Sequence, residues 1–296
     1  MRAWRIRGYG GPEAMRLEHI PVPIPDENQF LVRIRAASVN PVDWKLRRGL
    51  LAGVFPLSLP RTLGRDCAGE AEGQLVAGVA DARGDGTHAE FALLPNNQSA
   101  PVPAGLEAAQ AASLCVSGLS AYIPLVEIAR VSPGMRVLIH AGAGGVGSLA
   151  IQIAAQLGAE VLATASAANR AYCASLGASR VIDYRNEEFL EAGFFDVVLD
   201  TIGGDTHVRS LGALKPGGML VALQAAPIPA GARRDDVRVV MAQIQPTRER
   251  LEQIFRWAAA GTLRPQVVRR FAFEQAPKAY EVSESGHARG KIVLLL

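Results

Sequence analysis

The sequence predicts an α/β protein of two domains, a mainly β domain followed by a doubly wound parallel sheet. The first hundred residues are rich in proline and glycine and contain short runs typical of strands. From about Leu119 onward, apolar strand-like segments alternate with helical segments, which indicates a parallel sheet with helices on both faces. The length of 296 residues is long for one compact core and suits two domains.

The first part of the chain predicts strands separated by turns. Apolar and polar residues alternate well enough over Gln29–Val39 to predict a half-buried strand. The segment His88–Pro95 predicts a second strand, which ends at a proline. In contrast, PVPIP (Pro21–Pro25) cannot form a central strand, because proline has no amide hydrogen to donate to a neighbouring strand.

The second part of the chain predicts alternating strands and helices. The predicted strands are MRVLIHA, AEVLATA, RVID, FDVVLDTIG and MLVALQ. The predicted helices are GGVGSLAIQIAAQLG, a segment around Asn169–Leu176, and DTHVRSLGALKPGG with its Lys-Pro-Gly-Gly stop. After a Pro/Ala-rich loop, the amphipathic segment PTRERLEQIFRWAAAG predicts a further helix, and GKIVLLL predicts a terminal strand.

Composition excludes several classes of protein. The net charge of +3 is small and dispersed, so we expect no nucleic-acid partner. No apolar run approaches the ~20 residues that span a bilayer, so we expect no membrane segment. The N-terminus MRAWRIRGYGG lacks the apolar core of a signal peptide. The three cysteines stand far apart, which disfavours a disulfide framework or a structural zinc site and favours a cytoplasmic location.

A glycine-rich turn marks the start of the second domain. Gly142, Gly144 and Gly147 satisfy the pattern GxGxxG, and Gly145 is an additional glycine. The pattern follows an apolar strand and opens a helix, which is the context of a dinucleotide-binding turn. Such a turn brings the backbone close to a pyrophosphate, which binds the amides and the positive dipole end of the helix.

The residues after the next strand predict which dinucleotide is bound. An NAD site usually carries Asp or Glu there, which accepts a hydrogen bond from the ribose 2′-hydroxyl. This chain has ATASAANR instead, so Ser166, Asn169 and Arg170 stand where an acid is expected. A carboxylate would repel a 2′-phosphate, whereas a hydroxyl, an amide and a guanidinium would bind one. The sequence therefore predicts NADPH as the cofactor.

Several motifs in order resemble one known family. They are SVNPVDWKLRRG, LGRDCAGE, GTHAEF, AGAGGVGSLAIQIAAQLGA, LKPGG and ARGKIVL. Together they resemble the medium-chain dehydrogenase/reductase superfamily, and within it the zinc-independent quinone oxidoreductases related to zeta-crystallin. The resemblance runs nearly end to end. It implies a GroES-like catalytic domain over residues 1–118, a Rossmann domain over 119–245, and a C-terminal segment, 246–296, that returns to the first domain.

The resemblance also identifies the positions at which zinc-dependent members bind zinc. Here those positions hold Asn40, Arg65 and approximately Val116, and Cys115 is one residue out of register. An amide, a guanidinium and an aliphatic side chain cannot supply the nitrogen and sulfur ligands that zinc requires. We therefore expect no metal. Without a Lewis acid to polarise an alcohol, the expected direction is reduction of an activated acceptor.

The resemblance places the catalytic residues around the first of these positions. Asn40 is expected near the nicotinamide, where its amide could donate to the substrate oxygen or the cofactor ribose, or could simply terminate a strand. Trp44 could form an aromatic wall for a planar acceptor or pack in the domain core. Asp43 is the third candidate, although Asp43 and Lys45 could also form a surface ion pair.

The remaining candidates are expected to bind the cofactor. By resemblance, Gly144, Gly145, Val146 and Gly147 match the pyrophosphate turn, and Ser166, Arg170 and Tyr184 match positions that hold the 2′-phosphate. Ser120 is expected near the nicotinamide half, and Thr201 and Ile202 near the adenine. Backbone from Val240 through Met241 to Ala242 is expected to face the carboxamide.

The sequence thus predicts an NADPH-dependent reductase that transfers hydride to a small-molecule quinone or α,β-unsaturated carbonyl. An enoyl-thioester or other alkene reductase would use the same chemistry with a different pocket. A non-catalytic NADPH-binding redox sensor is a third possibility, favoured by a segment, Ala71–Thr87, that is shorter than in relatives. By analogy with relatives, we expect a homodimer formed through an edge strand near MLVALQ or its successor.

Overall fold

The structure is a computed structural model that describes residues 1–223 and 231–296. The described chain divides into two compact units by the proximity of its Cα atoms. The first unit comprises Met1–Leu119, Pro246–Gly261 and Pro265–Leu296. The second unit comprises Ser120–Gln245 and Thr262–Arg264.

The N-terminal part of the first unit is mainly β. Its strands are β1 (Arg2–Ile6), β2 (Met15–His19), β3 (Gln29–Val39), β4 (Arg61–Thr62), β5 (Asp66–Ala71), β6 (Gln74–Val79), β7 (Phe91–Pro95) and β8 (Ser99–Pro101). Helix α1 (Pro41–Arg47) follows β3 directly, and α2 (Ala108–Tyr122) follows the last of these strands. The strand predicted over Gln29–Val39 is confirmed to the residue, whereas the strand predicted from His88 begins at Phe91.

The second unit is a six-stranded parallel sheet with helices between its strands. In chain order it contains β9 (Arg136–Ile139), α3 (Gly147–Gln156), β10 (Glu160–Ala165), α4 (Arg170–Ser175), β11 (Arg180–Asp183), β12 (Phe195–Asp200), α5 (Gly204–Gly212), β13 (Leu214–Ala222) and β14 (Arg238–Met241). The strand order is β11-β10-β9-β12-β13-β14, and every described pairing is parallel. The order reverses at β9, so the sheet is doubly wound, as predicted.

The C-terminal segment completes the first unit. It contains α6 (Arg248–Ala259), β15 (Val267–Ala272), α7 (Ala276–Glu284) and β16 (Lys291–Leu295). β16 pairs with β3 in antiparallel fashion and with β15 in parallel, so it lies inside the larger sheet, next to the edge strand β15. That sheet has the order β15-β16-β3-β5-β6-β8, with β7 also paired to β3. A smaller sheet has the order β2-β1-β4.

One predicted helix end is wrong. The sequence predicted that the helix containing Asp205 continues to the Lys-Pro-Gly-Gly stop, but α5 ends at Gly212 and β13 already begins at Leu214. The pairing of β12 with β13 shifts register between Phe195 and Val197. Such an irregularity tolerates Pro216, which has no amide hydrogen to donate to the ladder. Gln224, at the end of the predicted strand MLVALQ, lies outside the described residues.

One helical stretch is more apolar than the sequence analysis expected. Helix α2 continues into a π-helical turn, Ile123–Ile128, and the combined stretch Ala108–Ile128 has the length and composition of a membrane-spanning helix. Within it, 72% of the most apolar window is buried inside the protein. A helix that is apolar nearly all round and mostly buried is typical of a protein core.

Side-chain alternation on β16 generates a stability prediction. Leu294 is fully buried against the cluster that contains Trp4 and Phe273, whereas Leu295 is 37% exposed. Leu294→Ala should lower the free energy of unfolding by about 2–5 kcal/mol, because it leaves a cavity. Leu295→Ala should change it by less than about 1 kcal/mol. Urea unfolding followed by tryptophan fluorescence measures this, since all three tryptophans lie in the first unit. Equal urea midpoints for the two variants would contradict the assigned strand register.

Candidate active site

A buried carboxylate organises the polar centre of the first unit. Asp66 is the first residue of β5 and has no solvent exposure. Its Oδ1 accepts hydrogen bonds from the Ser38 hydroxyl at 2.5 Å and from Asn40 Nδ2 at 2.8 Å. Its Oδ2 accepts from the backbone amide of Val116 at 2.9 Å. Both oxygens of the carboxylate are therefore occupied by donors from three different parts of the chain.

Asn40 is fully engaged inside this network. It lies at the start of α1, and its backbone amide donates to Asp43 Oδ2 at 2.7 Å. Its side-chain Oδ1 accepts from Lys291 Nζ at 2.6 Å, while Nδ2 donates to Asp66 and, weakly at 3.4 Å, to the Ser38 hydroxyl. The residue is only 2% exposed. Both ends of the side-chain amide are thus hydrogen-bonded within the protein, and its expected role toward the substrate oxygen or the cofactor ribose stays a prediction.

Lys291 supplies the positive charge of the network. It is the first residue of β16 and is buried. Burial lowers the pKa of its ammonium, and the neighbouring carboxylates of Asp66 and Asp43 act in the opposite direction. Because an ammonium has only donors, its contact fixes Asn40 with the amide oxygen toward Lys291 and the nitrogen toward Asp66.

Asp43 is buried rather than paired at the surface with Lys45. Burial raises the pKa of its carboxyl to about 7, and the negative charge of Asp66 acts in the same direction. The hydrogen bond from the Asn40 amide and the charges of Lys291 and Arg65 oppose this rise. Asp43 Oδ1 is buried and has no partner among the described residues.

Trp44 is partly buried and packs against the apolar cluster around Trp4 and Tyr280. Its ring also lies 5.6 Å from the Lys45 ammonium, measured to the ring centroid. The ring is therefore held in place by the core of the first unit.

A second buried group, the His88 imidazole, contacts β3 at Ser38. The Ser38 carbonyl lies 3.1 Å from His88 Nε2, and because a carbonyl only accepts, the hydrogen must reside on Nε2. Nδ1 is then the acceptor for the buried Tyr280 hydroxyl at 2.9 Å. Burial lowers the pKa of His88 to about 4, so the imidazole is neutral and this contact is independent of pH near neutrality.

The glycine turn of the second unit follows β9 and opens α3, in the sequence context predicted for it. A Cβ on Gly147 would lie 2.2 Å from the Ala141 carbonyl oxygen, and one on Gly142 would lie 2.8 Å from Ala163 Cβ. A Cβ on Gly144 would approach only the Ala141 oxygen, at 3.2 Å. Gly142 and Gly147 thus permit the tight turn and its close packing. Gly144 leaves the outer surface of the turn without a side chain, so that a ligand can approach the backbone.

This turn has the donor set that a pyrophosphate requires. Gly147 begins α3, Val146 is its N-cap and Gly145 precedes the cap, at the end of the helix where the first amides have no acceptor within the helix. These amides and the helix dipole together favour an anion. The residues present therefore fit a dinucleotide.

The predicted 2′-phosphate residues lie at the carboxyl ends of β10 and β11. Ser166 Oγ accepts from Asn169 Nδ2 at 3.1 Å, and Tyr184 is 55% exposed. Arg170, however, forms an ion pair with Glu187 at 2.6 Å.

The structure brings two acids toward this loop that the sequence analysis did not consider. Besides Glu187, the buried Asp183 carboxylate accepts hydrogen bonds from the Asn186 side chain and the Ala167 amide, and these contacts hold its pKa below the usual range. Glu187 also pairs with Arg180 at 3.4 Å. The signal that could have found them is the DYRNE run, in which Asp183 ends β11, the strand next to β10, and Glu187 follows four residues later.

The other cofactor candidates lie on the same sheet or beside it. The Thr201 hydroxyl donates to the His140 carbonyl at 2.9 Å, and the Ile202 amide donates to Asp200 Oδ1 at 2.9 Å, so both residues lie in a fixed loop after β12. Val240 and Met241 end the edge strand β14. Ser120 is buried in α2.

Comparisons with known proteins agree across the whole chain. The profile of the alcohol dehydrogenase GroES-like domain matches residues 26–104, and that of zinc-binding dehydrogenases matches residues 176–294. A 2-methylene-furan-3-one reductase from Solanum lycopersicum is 33% identical over 99% of this chain and 79% of its own length. A quinone oxidoreductase structure from Coxiella burnetii superposes with a TM-score of 0.94 at 35% identity, covering 100% of this chain and 99% of that one. The chain belongs to the medium-chain dehydrogenase/reductase superfamily. Within it, the chain is a quinone oxidoreductase-like enzyme with a GroES-like domain and a Rossmann domain.

A further structural relative shares this architecture. The Escherichia coli quinone oxidoreductase complexed with NADPH superposes with a TM-score of 0.90 at 27% identity, covering 100% of both chains. The resemblance that the motifs indicated is therefore confirmed. The name of the second profile raises the question of zinc.

The residues of this medium-chain enzyme do not fit a zinc ion at the positions where zinc-dependent relatives bind one. Asn40 is hydrogen-bonded through both ends of its amide, Arg65 carries a positive charge, and Val116 contributes only its backbone amide. Within residues 1–223 and 231–296, no group of three or more His, Cys, Asp and Glu side chains is placed to hold a metal. The nearby thiols of Cys67 and Cys115 are buried, and burial raises their pKa values, so they stay protonated.

The buried Asp43 carboxyl generates a pH prediction. Its pKa is about 7 in the folded protein against an ordinary 3.8, so between about pH 4 and pH 7 the folded state holds a proton that the unfolded state releases. The contribution of Asp43 to stability is therefore complete below pH 4 and is lost as the pH rises to 7 and above. Asp43→Asn should remove this pH dependence, which amounts to about 2–4 kcal/mol.

The measurement is the urea midpoint of the medium-chain enzyme at intervals from pH 4 to pH 8, taken for the wild type, Asp43→Asn and the exposed control Asp26→Asn. The control should follow the wild type. If Asp43→Asn also follows the wild type over this range, the folded-state pKa of Asp43 is not raised.

Proposed function

We propose that this enzyme is an NADPH-dependent, zinc-independent reductase that transfers a hydride to a quinone or an α,β-unsaturated carbonyl. One observation carries the proposal. Two of the three positions that the resemblance assigns to zinc in zinc-dependent members, Asn40 and Val116, are hydrogen-bonded here into a cluster around Asp66 and Lys291. Oxidation of an alcohol requires a group that polarises the hydroxyl, whereas reduction of an activated carbonyl system does not require a metal.

The second unit supports a nicotinamide dinucleotide as the cofactor. When bound, NADPH supplies a hydride, which carries two electrons and one proton. The amides at Gly145, Val146 and Gly147 would hold its pyrophosphate, and the glycines leave room for close backbone approach. The E. coli quinone oxidoreductase, a structural relative solved in complex with NADPH, supports the same choice.

Preference for the phosphorylated cofactor rests on the charge around Ser166 and Tyr184. Arg170, Arg180 and Arg185 bring three guanidinium groups to this region, with Arg185 lying 5.7 Å from the centroid of the Tyr184 ring. Asp183 and Glu187 bring two carboxylates. The excess of positive charge favours a 2′-phosphate, but Arg170 must exchange its carboxylate partner for the phosphate.

The acceptor must be one that needs no strong general acid. Addition of a hydride to a quinone or an enone leaves a phenolate or an enolate, whose oxygen bears the charge. A phenolate with a pKa of about 10, like that of tyrosine, takes a proton from water near neutral pH. What the protein must supply is a donor that stabilises the oxygen as charge develops there.

The name of the tomato relative, a 2-methylene-furan-3-one reductase, describes an enone substrate and supports the alkene-reducing form of this chemistry. An enoyl-thioester would place the same conjugated carbonyl in a larger pocket. Consumption of NADPH would distinguish an enone or enoyl-thioester reductase from a redox sensor, which would bind NADPH without consuming it.

Steady-state assays test the proposal with NADPH or NADH as donor and with 1,4-benzoquinone, an alkyl vinyl ketone or crotonyl-coenzyme A as acceptor. We expect consumption of NADPH with the quinone or the vinyl ketone. Dependence of the activity on added zinc, or binding of NADPH with no turnover of any acceptor, would contradict it.

The ion pair of Arg170 with Glu187 generates a paired prediction on cofactor choice. Arg170→Met should raise the Kd of NADPH about tenfold or more and leave that of NADH within about threefold, because it removes one charged contact to phosphate. Glu187→Gln should leave NADPH binding equal or tighter, because it frees Arg170 from its partner. Arg16→Met, at an exposed residue of β2 in the first unit, is the control. Fluorescence titration gives each Kd; equal losses for both cofactors in Arg170→Met would contradict 2′-phosphate recognition.

We also propose that the enzyme forms a homodimer through β14. This strand is the edge of the parallel sheet, and Val239 on it is 42% exposed. Pairing of two edges about a two-fold axis would satisfy their backbone groups. Val239→Lys should convert a dimer into a monomer in light-scattering measurements, while Leu190→Lys, at an equally exposed apolar residue away from this edge, should not. A monomeric wild type would overturn this proposal.

The cysteines are consistent with a reducing compartment such as the cytoplasm. Cys67, Cys115 and Cys173 are all free and buried. Free buried thiols without disulfides are usual where thiols are kept reduced.

A further inference from the structure

The glycine turn of the second unit contains one residue in an uncommon backbone conformation. Ala141 has a φ of 51°, in the left-handed region that residues other than glycine seldom adopt. Its side chain is exposed, so packing of the methyl group does not impose this conformation. Residues in such conformations cluster at ligand sites and persist only where the surrounding structure fixes them. The contacts that fix Ala141 therefore bear on what the turn can bind.

The carbonyl of Ala141 closes the turn. It accepts a hydrogen bond from the Gly144 amide at 2.9 Å, and it would lie 2.2 Å from a Cβ on Gly147, the first residue of α3. The next amide, that of Gly142, donates to the Thr164 carbonyl on β10 at 2.8 Å. A change in the backbone conformation of Ala141 would move this carbonyl, and with it the start of α3.

Three buried polar side chains, the imidazole relay of Thr164, His140 and Ser210, connect Ala141 to α5. The Ser210 hydroxyl donates to the Thr206 carbonyl at 2.6 Å, because a carbonyl only accepts. Ser210 Oγ therefore accepts from His140 Nε2 at 2.9 Å, which places the imidazole hydrogen on Nε2. His140 Nδ1 then accepts from the Thr164 hydroxyl at 3.1 Å, and Thr164 Oγ1 accepts from the Ala141 amide at 3.2 Å.

The imidazole relay requires a neutral imidazole. Its three members are at most 2% exposed, and the Phe189 ring packs edge-on to the imidazole with the ring centroids 4.9 Å apart. Burial lowers the pKa of His140, with the charge of Asp200 opposing this shift and that of Arg209 adding to it. A second proton, on Nδ1, would take away the acceptor of the Thr164 hydroxyl. The hydrogen bonds of the relay are therefore all satisfied in the neutral form.

We propose that the imidazole relay is a positioning device for cofactor binding. It holds the Ala141 amide, keeps this residue in its left-handed conformation and so fixes the backbone amides that receive the pyrophosphate. Thr164 is the positioning residue in contact with the turn, and His140 and Ser210 orient its hydroxyl. A site whose groups are fixed in advance loses less conformational freedom when a ligand binds. This inference rests on the binding of a nicotinamide dinucleotide, which is part of the proposed function, and is independent of the choice between NADPH and NADH.

A double-mutant cycle between Thr164→Val and Ala141→Gly tests the proposal. Thr164→Val retains the shape of the side chain and removes the acceptor of the Ala141 amide, so it should raise the Kd of NADPH and that of NADH alike, by about tenfold. Ala141→Gly should bind both cofactors within about twofold of the wild type, because glycine adopts the left-handed conformation without a Cβ penalty. In the Ala141→Gly background, Thr164→Val should raise either Kd by less than about threefold.

Two further variants are controls. Thr164→Ser retains the hydroxyl and should bind both cofactors within about twofold of the wild type. Ser179→Ala removes a hydroxyl that donates to the Val161 carbonyl at 2.9 Å, near the other end of β10, and should leave both Kd values unchanged. Fluorescence titration gives each Kd, and circular dichroism and Tm verify folding. If Thr164→Val alone does not fold, the double variant measured against Ala141→Gly supplies the test.

Nitrogen-15 NMR of the histidine side chains gives a readout that needs no cofactor. The resonances of His140, identified by their loss in His140→Asn, should show the hydrogen on Nε2 and no titration between about pH 6 and pH 8. A hydrogen on Nδ1, or a titration of His140 within this range, would overturn the relay.

The outcomes separate the positioning role from the function on which it rests. If Thr164→Val weakens both cofactors in parallel and Ala141→Gly suppresses the loss, the positioning role stands even where the wild type reduces no acceptor or prefers NADH, results that overturn the proposed function. A folded Thr164→Val with both Kd values as in the wild type has lost stability alone, and the positioning role is overturned. An equal loss in the Ala141→Gly background overturns it too, because Thr164 would then not act through the left-handed residue. A loss for NADPH alone would assign Thr164 to the 2′-phosphate instead.

Discussion

The hydrogen bonding of the Asp66 carboxylate is the constraint on which the first unit depends. A carboxylate with no solvent exposure is tolerated only when its charge is balanced and its lone pairs are filled. Asp66 meets this condition with donors from β3, from the start of α1 and from α2, and Lys291 on the last strand supplies the charge. Breaking such a network by removing one partner leaves an uncompensated buried charge, so its members act together.

Two arginines, one in each unit, show how carboxylates determine which cations are available. In the first unit, the acids nearest Arg65 are occupied by neutral donors, and the guanidinium is left without a protein partner. In the second unit, Arg170 is already paired with Glu187. Under the proposed function, a cofactor phosphate that binds Arg170 would have to displace this carboxylate. The availability of a guanidinium is thus set by neighbouring acids rather than by the arginine itself.

The features that depend on local sequence could be predicted. The glycine turn and the alternating strands and helices of the second domain depend on spacings of a few residues, and the fold class that they predicted is confirmed. The strand Gln29–Val39 was predicted to the residue because its alternation ends at an Asn-Pro pair. The end of α5 was missed, because a Pro-Gly-Gly run commonly stops a helix and gives no sign that a bulged strand can contain it.

The features that depend on long-range contacts could not be predicted. Asn40 and Lys291 lie 251 positions apart in the chain, and no periodicity connects them. The sequence analysis therefore gave the Asn40 amide a role toward the substrate oxygen or the cofactor ribose, or at the end of a strand, and could not foresee that both ends of the amide are hydrogen-bonded within the protein. Likewise, the absence of an acid after β10 was evident, but Glu187 reaches Arg170 from beyond the next strand.

A hydrogen-bonded network with buried charges stands where the resemblance places a metal site in zinc-dependent members. A zinc ion would bring two positive charges to be balanced by anionic or neutral ligands. The buried centre of this network instead holds the positive charge of Lys291, which donates to the Asn40 side chain and to the Val39 carbonyl and lies near the Asp66 carboxylate. That charge is therefore balanced by the protein's own groups.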